Sequence, residues 1–306
     1  MTESALSNPI ASPSKAKLWL AAIKPPMYSV AVVPITVGSL AAYAQGNPWQ
    51  GQIYGLFLFG AIAVIAWLNI SNDVFDSDTG IDVHKAHSIV NLTGNRNAMF
   101  WLSNGFLLTG LGAIGAITWI QQDWFVLGLI ALAIFLGYTY QGPPFRLGYL
   151  GLGEIICFIT FGPLAISAAF YSQAQAITPA VVLPSVFVGL STAIILFCSH
   201  FHQVEDDLAA GKRSPIVRLG TARGAKVLAV TVLSLFGTIF GGLLLGALPL
   251  SSLVVLGSLP FGIQLIRNVG QYHDQPERVS NCKFIAVNLH FVSGMLLALS
   301  YGWGAG

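Results

Sequence analysis

Long apolar runs are the feature that most restricts how this chain can fold. The hydrocarbon core of a bilayer is about 30 Å thick, and an α-helix needs roughly 20 residues to cross it. Nine stretches of the sequence are apolar over about that length, which predicts an all-α, polytopic membrane protein with nine transmembrane helices in a bundle. The stretches are residues 27–45, 52–71, 98–120, 124–142, 150–172, 178–200, 225–246, 248–267 and 284–304.

The composition excludes a water-soluble domain. Hydrophobic residues make up 55% of the 306 residues, and only 8% of the chain is charged. A typical soluble domain carries about 25% charged residues, so this chain cannot build a comparable water-facing surface. The lipid bilayer is therefore an expected partner, and we expect no nucleic-acid partner.

The basic residues indicate how the chain is oriented. All fourteen lysines and arginines fall before the first apolar stretch, in the links that follow the even-numbered stretches, or at the ends of stretches that border those links. The other four links, "QGNPWQ", "QQDW", "SQAQAIT" and "GALPLSS", contain none. Because cytoplasmic loops retain Lys and Arg, this alternation places the N-terminus in the cytoplasm.

The segment before the first apolar stretch has a different character. "SKAKLWLAAIK" is basic on one side and carries Trp19 and Leu20 on the other, which is typical of a helix lying in the membrane interface. We therefore divide the chain into an N-terminal segment, residues 1–26, and a transmembrane domain, residues 27–306. Surface anchoring is the simpler role for this helix, and gating of a substrate entrance is the alternative.

Acidic residues form two clusters at the cytoplasmic ends of apolar stretches. The first follows the second stretch, in "NDVFDSDTGID", and the second follows the sixth, in "QVEDDLAAGKR". The clusters are thus four helices apart at equivalent ends, a weak internal repeat of the kind that places a site between two halves. Their members are Asp73, Asp76, Asp78 and Asp82 in the first cluster, and Glu205, Asp206 and Asp207 in the second.

The two clusters suit a metal-bound diphosphate. Asn72 and Asp76 are four residues apart on a helix, and Asp73 and Asp76 are three apart, so these side chains share one face. Carboxylate and amide oxygens suit Mg²⁺, which usually takes one or two carboxylates together with substrate phosphates. Lysines and arginines follow each cluster and could meet the outward phosphate oxygens. The plain alternative is that the acids are solvated and balanced by these neighbours.

A transporter is the competing class of function, because acids within membranes often mark ion pathways. Two observations argue against it. The acids lie at one membrane face rather than at the midplane, and no pair of apolar stretches is interrupted at matching depths.

The chain resembles the UbiA superfamily of intramembrane prenyltransferases over nearly its whole length. "NDVFDSDTGID" is similar to the family's first acidic motif, "QVEDDLAAGKRSPIVRLG" to the second, and "YTYQGPPFRLGYLGLGE" to the loop after the fourth helix. The wordings "GIDVHKAHSIVNLTGNR" and "HFHQVEDD" resemble the cyanobacterial and plastid branch of the naphthoate prenyltransferases. The resemblance implies a Mg²⁺-dependent enzyme with a central cavity that opens toward the cytoplasm, an isoprenoid diphosphate donor and an aromatic acceptor.

The resemblance also assigns roles to residues. The metal ligands it implies are Asn72, Asp73, Asp76, Glu205, Asp206 and Asp207, with Asp73, Asp76, Asp207 and Lys212 as the catalytic set. The chain has Gln203 where many relatives have aspartate, so whether Glu205 or Asp206 joins Asp207 stays open. The diphosphate-binding residues are Lys85, Arg96, Arg146, Lys212 and Arg213. The acceptor or prenyl pocket holds Asn69, Asp82, Tyr138, Tyr140, Glu154, His200 and Gln203.

The branch implied is the one that transfers phytyl to 1,4-dihydroxy-2-naphthoate with loss of CO₂, in phylloquinone biosynthesis. Asp82, nine residues after Asp73, carries the likeness to the naphthoate enzymes. Transfer of a longer polyprenyl chain, as in menaquinone biosynthesis, and a different acceptor such as homogentisate remain as alternatives.

Overall fold

The computed structural model describes residues 15–81 and 88–303, and every regular element in that part of the chain is helical. Two predicted site residues, Asp82 and Lys85, lie outside the described residues. The α-helices are α1 Lys15–Ile23, α2 Ser29–Ala44, α3 Gly51–Ser77, α4 Ile89–Thr93, α5 Arg96–Gln121, α6 Phe125–Gln141, α7 Gly153–Ile159, α8 Ala165–Ala174, α9 Val182–Ser199, α10 Val204–Ala209, α11 Pro215–Leu219, α12 Thr221–Leu244, α13 Leu259–Tyr272, α14 Pro276–Val279 and α15 Cys282–Trp303.

The all-helical, multi-pass prediction is confirmed. Eight segments of the described chain are long and apolar enough to cross a membrane. The fourth predicted stretch, residues 124–142, corresponds to α6, an apolar helix of 17 residues. Because 17 residues is the short end of the range for a transmembrane helix, the count of nine stays a prediction.

Two predicted stretches are helical but not uniformly α-helical. A π-helical segment, Thr160–Leu164, contains Pro163 and joins α7 to α8. Proline lacks an N–H and crowds the preceding turn, and a wider turn accommodates it without ending the span. A 3-10 segment, Leu250–Ser258, precedes α13 and completes the span Leu250–Tyr272.

Helix α2 lies at the centre of the bundle, between α8 on one side and α15 on the other. Both contacts depend on glycine. A Cβ on Gly38 would stand 2.7 Å from the Cβ of Ala169 in α8, and a Cβ on Gly294 in α15 would collide with Val33. Small residues let transmembrane helices approach closely, which strengthens packing where there is no hydrophobic effect between helices.

The elements that carry the acidic clusters end at the same side of this bundle. Helix α3 packs along α5 and brings the first cluster to its own C-terminal end. Helix α9 packs against α7, α12 and α15 and ends just before the short helix α10, which carries the second cluster. The link between α6 and α7 runs between them.

The predicted orientation can be tested with single cysteines at Ala176 and Ala209, both exposed. In a background with Cys157, Cys198 and Cys282 replaced by serine, we expect an impermeant maleimide to label Ala176→Cys in intact cells. Ala209→Cys should react only after permeabilisation. Labelling of Ala209→Cys in sealed cells would contradict the cytoplasmic placement of the second cluster.

Candidate functional site

Tyr149 joins the two acidic clusters. Its hydroxyl donates to Asp76 Oδ1 at 3.2 Å and shares a hydrogen bond of 2.7 Å with Thr79. Its backbone carbonyl accepts from the N–H of Arg213 at 2.8 Å, and the Lys212 ammonium lies 6.0 Å from the centre of its ring. Burial and the neighbouring Asp76 carboxylate raise the pKa of Tyr149, so its hydroxyl remains a neutral donor. Both clusters therefore border one loop.

Two arrangements hold that loop in place. Gly151 has a φ of +75°, and a Cβ there would stand 2.5 Å from the carbonyl oxygen of Arg213, so glycine is required on both counts. Arg218 donates through Nε to the carbonyl of Arg213 at 3.0 Å and through a terminal nitrogen to the carbonyl of Leu150 at 2.7 Å. The two hydrogen bonds of Arg218 thus join the loop after α6 to the segment after α10.

The first motif is divided between two tasks. Asn72 donates to Asp76 Oδ2 at 2.8 Å, one helical turn away, so these two side chains form one group. Asp73 is buried and makes other contacts: Lys24 Nζ lies 2.8 Å from its Oδ1, and the N–H of Ile89 donates to its Oδ2 at 3.0 Å. Asp73 therefore holds the start of α4 and the N-terminal segment against α3.

The second motif is centred on Asp207, which is 1% exposed. His200 Nδ1 lies 3.1 Å from Oδ2, and Lys212 Nζ lies 3.1 Å from Oδ1. Burial alone would raise the pKa of Asp207, but the His200 hydrogen bond and the Lys212 charge outweigh it, and the pKa is lowered. Asp207 is therefore a buried, ionised carboxylate, whereas Glu205 and Asp206 are exposed to solvent.

Glu154, at the start of α7, completes this group. Burial lowers the pKa of His200, so its ring is neutral. A neutral ring that donates from Nδ1 to Asp207 turns a lone pair at Nε2 toward Glu154 Oε1, 3.4 Å away. Both of these atoms are acceptors, so the approach is not a hydrogen bond, and both carboxyl oxygens of Glu154 are buried without a hydrogen-bond partner in the described residues. Glu154 can thus receive a ligand.

The remaining predicted residues fall into two sets. Tyr140 lies within electrostatic reach of Asp76, Glu154 and Asp207, and its ring packs against Gly148 and Gly153. Two others are engaged elsewhere: the Tyr138 hydroxyl donates to the carbonyl of Pro143, and the guanidinium of Arg96 pairs with Asp78 through two bonds of 2.7 and 2.6 Å. The backbone carbonyl of Gln203 accepts from the N–H of Asp207 at the start of α10.

Of the twelve described residues that have a buried polar atom without a partner, seven lie in or beside the two motifs and the loop between them. Most buried polar groups in proteins are hydrogen-bonded, so a local group of exceptions indicates a missing ligand. Arg146 Nε and Asp207 Oδ1 are both of this kind in the described residues, since the Lys212 contact to Oδ1 is not aligned as a hydrogen bond. Further buried atoms of this kind belong to Asn69, Ser88, Glu154, His202 and Ser214.

The predicted metal ligands are not gathered into one cage. Within residues 15–81 and 88–303, no group of three or more His, Cys, Asp or Glu side chains is placed to hold a metal ion. The reason is visible in the contacts: Asp73 is occupied by Lys24, Glu205 and Asp206 face outward, and Asp76 and Asp207 are on different elements. The donor set that remains, Asn72 and Asp76 opposite Asp207, still fits Mg²⁺, because this ion takes few carboxylates and completes its shell with phosphate and water.

Sequence reasoning missed three residues. In the sequence, Lys24 and Arg218 belonged only to the set of basic residues on one side of the membrane, and Tyr149 was one residue of the motif after the fourth helix with no role assigned. Each acts through a contact that sequence spacing does not reveal. Lys24 meets Asp73 across 49 residues, and Tyr149 meets Asp76 across 73.

Comparison with known proteins places the chain in a family. Residues 31–292 match the model of the UbiA prenyltransferase family, and the chain belongs to that family. It is therefore a multi-pass membrane enzyme that transfers prenyl groups, and the transporter alternative is wrong.

Two relatives narrow the comparison further. The chain is 67% identical to the 2-carboxy-1,4-naphthoquinone phytyltransferase of Synechocystis, over 99% of each chain. It is 42% identical to the chloroplastic 2-carboxy-1,4-naphthoquinone phytyltransferase of Arabidopsis thaliana, over 93% of this chain and 77% of the relative. Among solved structures, a UbiA homolog from Archaeoglobus fulgidus bound to GPP and Mg²⁺ has the same fold, with a TM-score of 0.61 and 18% identity over 94% of this chain and 99% of the other.

The division between buried and exposed acids generates a test. Asp207→Asn removes the buried negative charge of a carboxylate whose Oδ1 has no aligned hydrogen bond. We therefore expect the affinity for inorganic diphosphate with Mg²⁺ to fall at least about tenfold. Asp206→Asn, the exposed neighbour, should leave that affinity unchanged. Calorimetric titration of detergent-purified protein measures both, and equal losses in the two variants would contradict the assignment.

Proposed function

We propose that this enzyme transfers phytyl from phytyl diphosphate to 1,4-dihydroxy-2-naphthoate, the reduced form of 2-carboxy-1,4-naphthoquinone. CO₂ and diphosphate are released, and the product is the quinol of demethylphylloquinone, on the route to phylloquinone. The identity of 67% to the Synechocystis phytyltransferase supports the choice of donor and acceptor. The single structural observation that carries the proposal is the Tyr149 loop, which brings two acidic motifs and their cations to one space.

Mg²⁺ is the metal we propose for this space. Asn72 and Asp76 from α3 and Asp207 from α10 would hold it. Asp207 is ionised and its buried Oδ1 has no aligned hydrogen bond, which makes this carboxylate a suitable donor. When bound, Mg²⁺ supplies Lewis-acid stabilisation of the departing diphosphate. Asp73 is proposed to act in the catalytic set by fixing Lys24 and α4 beside this donor group.

Cationic side chains bind the diphosphate and stabilise its charge as it leaves. Arg146 is the best placed, because its Nε is buried and has no hydrogen-bond partner in the described residues. Lys212 reaches from the second motif over the Tyr149 ring and can turn from Asp207 to a phosphate oxygen. Arg213 is fixed beside them by its backbone bond to Tyr149. Lys85 is the further candidate from the first motif's side, and Arg96 would join it only by leaving its pair with Asp78. Charge stabilised in a water-poor site contributes more than in water.

Breakage of the allylic C–O bond leaves a delocalised carbocation, which water would destroy. The apolar bundle beneath the motifs excludes water from this intermediate. Tyr140, within electrostatic reach of both motifs, is the ring we propose to stabilise the cation, by about 0.5–2 kcal/mol. Tyr138 packs edge-on against Phe75, with ring centres 5.9 Å apart.

The acceptor's hydroquinone ring then attacks the cation at the carbon that bears the carboxylate. A new C–C bond forms, and the C–CO₂ bond breaks so that its electron pair restores the aromatic ring. No strong base is required at the reacting carbon. Glu154 and His200 are proposed to orient the acceptor, since the Glu154 carboxyl is buried, unpaired and next to the Asp207 group. Asn69, Asp82 and Gln203 are the further candidates for this pocket.

We propose that the site opens toward the cytoplasmic side of an inner or thylakoid-type membrane. The basic residues around both motifs favour that side, and the relatives come from a cyanobacterium and a chloroplast. A diphosphate is a soluble, strongly charged product, so release into an aqueous compartment from the membrane face requires no passage through lipid.

The reaction is tested with acceptor labelled at its carboxyl carbon, phytyl diphosphate, Mg²⁺ and purified enzyme. We expect one labelled CO₂ for each prenylated product, because the carboxylate leaves from the carbon that is alkylated. A chelator in excess over Mg²⁺ should stop both. Prenylated product that retains the label, or transfer to homogentisate alone, would contradict the proposed acceptor chemistry.

A further inference from the structure

Helix α13 carries a row of polar side chains on the face that it turns away from the bundle. Their spacing of three and four residues places them along one face of the helix. The same face lines a shallow, open groove that also includes Pro260 and Ile263. On the opposite face, Gly262, Leu265 and Val269 are buried. We call the polar row the α13 stripe, and its members are Gln264, Arg267, Asn268 and Gln271.

The stripe lies at the end of α13 that is nearest the acidic motifs. Helix α12 follows the second motif, and its first residue, Thr221, shares a hydrogen bond of 3.0 Å with Nδ1 of His273, directly after α13. The span that ends here, Leu250–Tyr272, has nine residues of 3-10 helix and fourteen of α-helix. At about 2.0 and 1.5 Å per residue these reach about 39 Å, close to the thickness of a bilayer with its headgroups. This match places the end of α13 in the headgroup layer.

From that end, the stripe extends into the membrane. Gln271 is one residue before Tyr272, Arg267 is five residues before it, and Gln264 is eight residues before it. The last two distances are about 7.5 and 12 Å along the helix. The headgroup layer is only about 5–7 Å thick on each side of the bilayer. Arg267 therefore lies near the boundary between headgroups and hydrocarbon, and Gln264 lies at the depth of the lipid tails.

The side chains of the stripe have no partner within residues 15–81 and 88–303, where none of the four makes a side-chain hydrogen bond or an ion pair. Polar side chains at membrane depth are costly and rarely face lipid tails alone. A long arginine can extend its charged end to the interface, but the shorter amide side chains of Gln264 and Asn268 have less reach. The stripe therefore indicates a polar partner outside the described chain.

The charge of the stripe distinguishes an anionic lipid from a second copy of this chain. Amide side chains form hydrogen bonds between transmembrane helices, which would suit a second copy. In a pair of copies related by a two-fold axis along the membrane normal, however, the two Arg267 side chains would face each other at the same depth. Like charges repel strongly in a medium of low dielectric constant. The nearest acids along the chain, Asp274 and Glu277, lie beyond the end of α13 and outside the stripe.

We propose that the α13 stripe binds the phosphate headgroup of an anionic phospholipid, in the leaflet next to the acidic motifs. The guanidinium of Arg267 holds the phosphate through charge-assisted hydrogen bonds, which are the strong ones at a poorly hydrated site. The amides of Gln264 and Gln271 lie about one turn to either side and donate to the remaining oxygens of the headgroup and its ester links. The acyl chains then lie along the apolar surface of the bundle.

The test measures lipid binding to the full chain in a neutral detergent by native mass spectrometry, with phosphatidylglycerol and with zwitterionic phosphatidylcholine. We expect wild type to bind phosphatidylglycerol more tightly. Arg267→Gln removes the charge of the stripe, so its Kd for phosphatidylglycerol should rise at least about tenfold, the loss typical of a charged hydrogen-bonding group. The matched control is Arg223→Gln, because Arg223 is an exposed arginine at the start of α12, near the same membrane face; its Kd should not change.

A second variant, Gln264→Leu, tests the deeper end of the stripe. Leucine suits the hydrocarbon, so this variant should insert and fold as wild type does. Its Kd for phosphatidylglycerol should rise at least about threefold, the effect of losing one neutral hydrogen bond.

Equal affinity of wild type for the two lipids would overturn the proposal. So would a Kd for phosphatidylglycerol that neither Arg267→Gln nor Gln264→Leu raises more than Arg223→Gln does. A wild-type dimer that becomes a monomer in Gln264→Leu, in the same spectra, would show that a second copy of the chain occupies the stripe instead of a lipid.

Discussion

The hydrogen bond between Tyr149 and Asp76 is the contact on which the site depends, because it connects two acidic groups that have no direct bond to each other. Carboxylates in a poorly hydrated space repel one another, and each costs desolvation energy unless it is paired. Each carboxylate is stabilised by partners of its own. Asp73 pairs with Lys24, and Asp207 with Lys212 and His200. Asp76 accepts hydrogen bonds from the hydroxyl of Tyr149 and the amide of Asn72.

The proposed site suits an anion and a metal. Asp76 accepts hydrogen bonds from the Asn72 amide and the Tyr149 hydroxyl, both neutral donors. Arg146 Nε and Asp207 Oδ1 are buried without hydrogen bonds in the part of the chain that the structure describes, and both would be satisfied by a metal diphosphate. Such preorganisation lowers the energy required to reorganise the site when charge moves onto the leaving group.

The large features of this fold could be predicted from the sequence, because they depend on local properties. Apolar length identified the spans, and the positions of Asp76 and Asp207 at helix ends followed from the motifs. The pairing of Asp73 with Lys24 and the shift of α7 into a π-helix could not be foreseen, since each results from contacts between distant or neighbouring elements. The predicted metal set left open whether Glu205 or Asp206 joins Asp207, and sequence spacing could not show that Asp207 is buried while both of these neighbours are exposed.

A double-mutant cycle on Asp76→Asn and Asp207→Asn tests most directly whether the two motifs act on one ligand. Affinity for inorganic diphosphate is measured in Mg²⁺ for wild type, both single variants and the double variant. If both carboxylates serve one metal-bound diphosphate, the double variant should lose about as much affinity as the weaker-binding single variant, because either change already breaks the shared site. Losses that add in free energy would show two independent sites and would contradict this account.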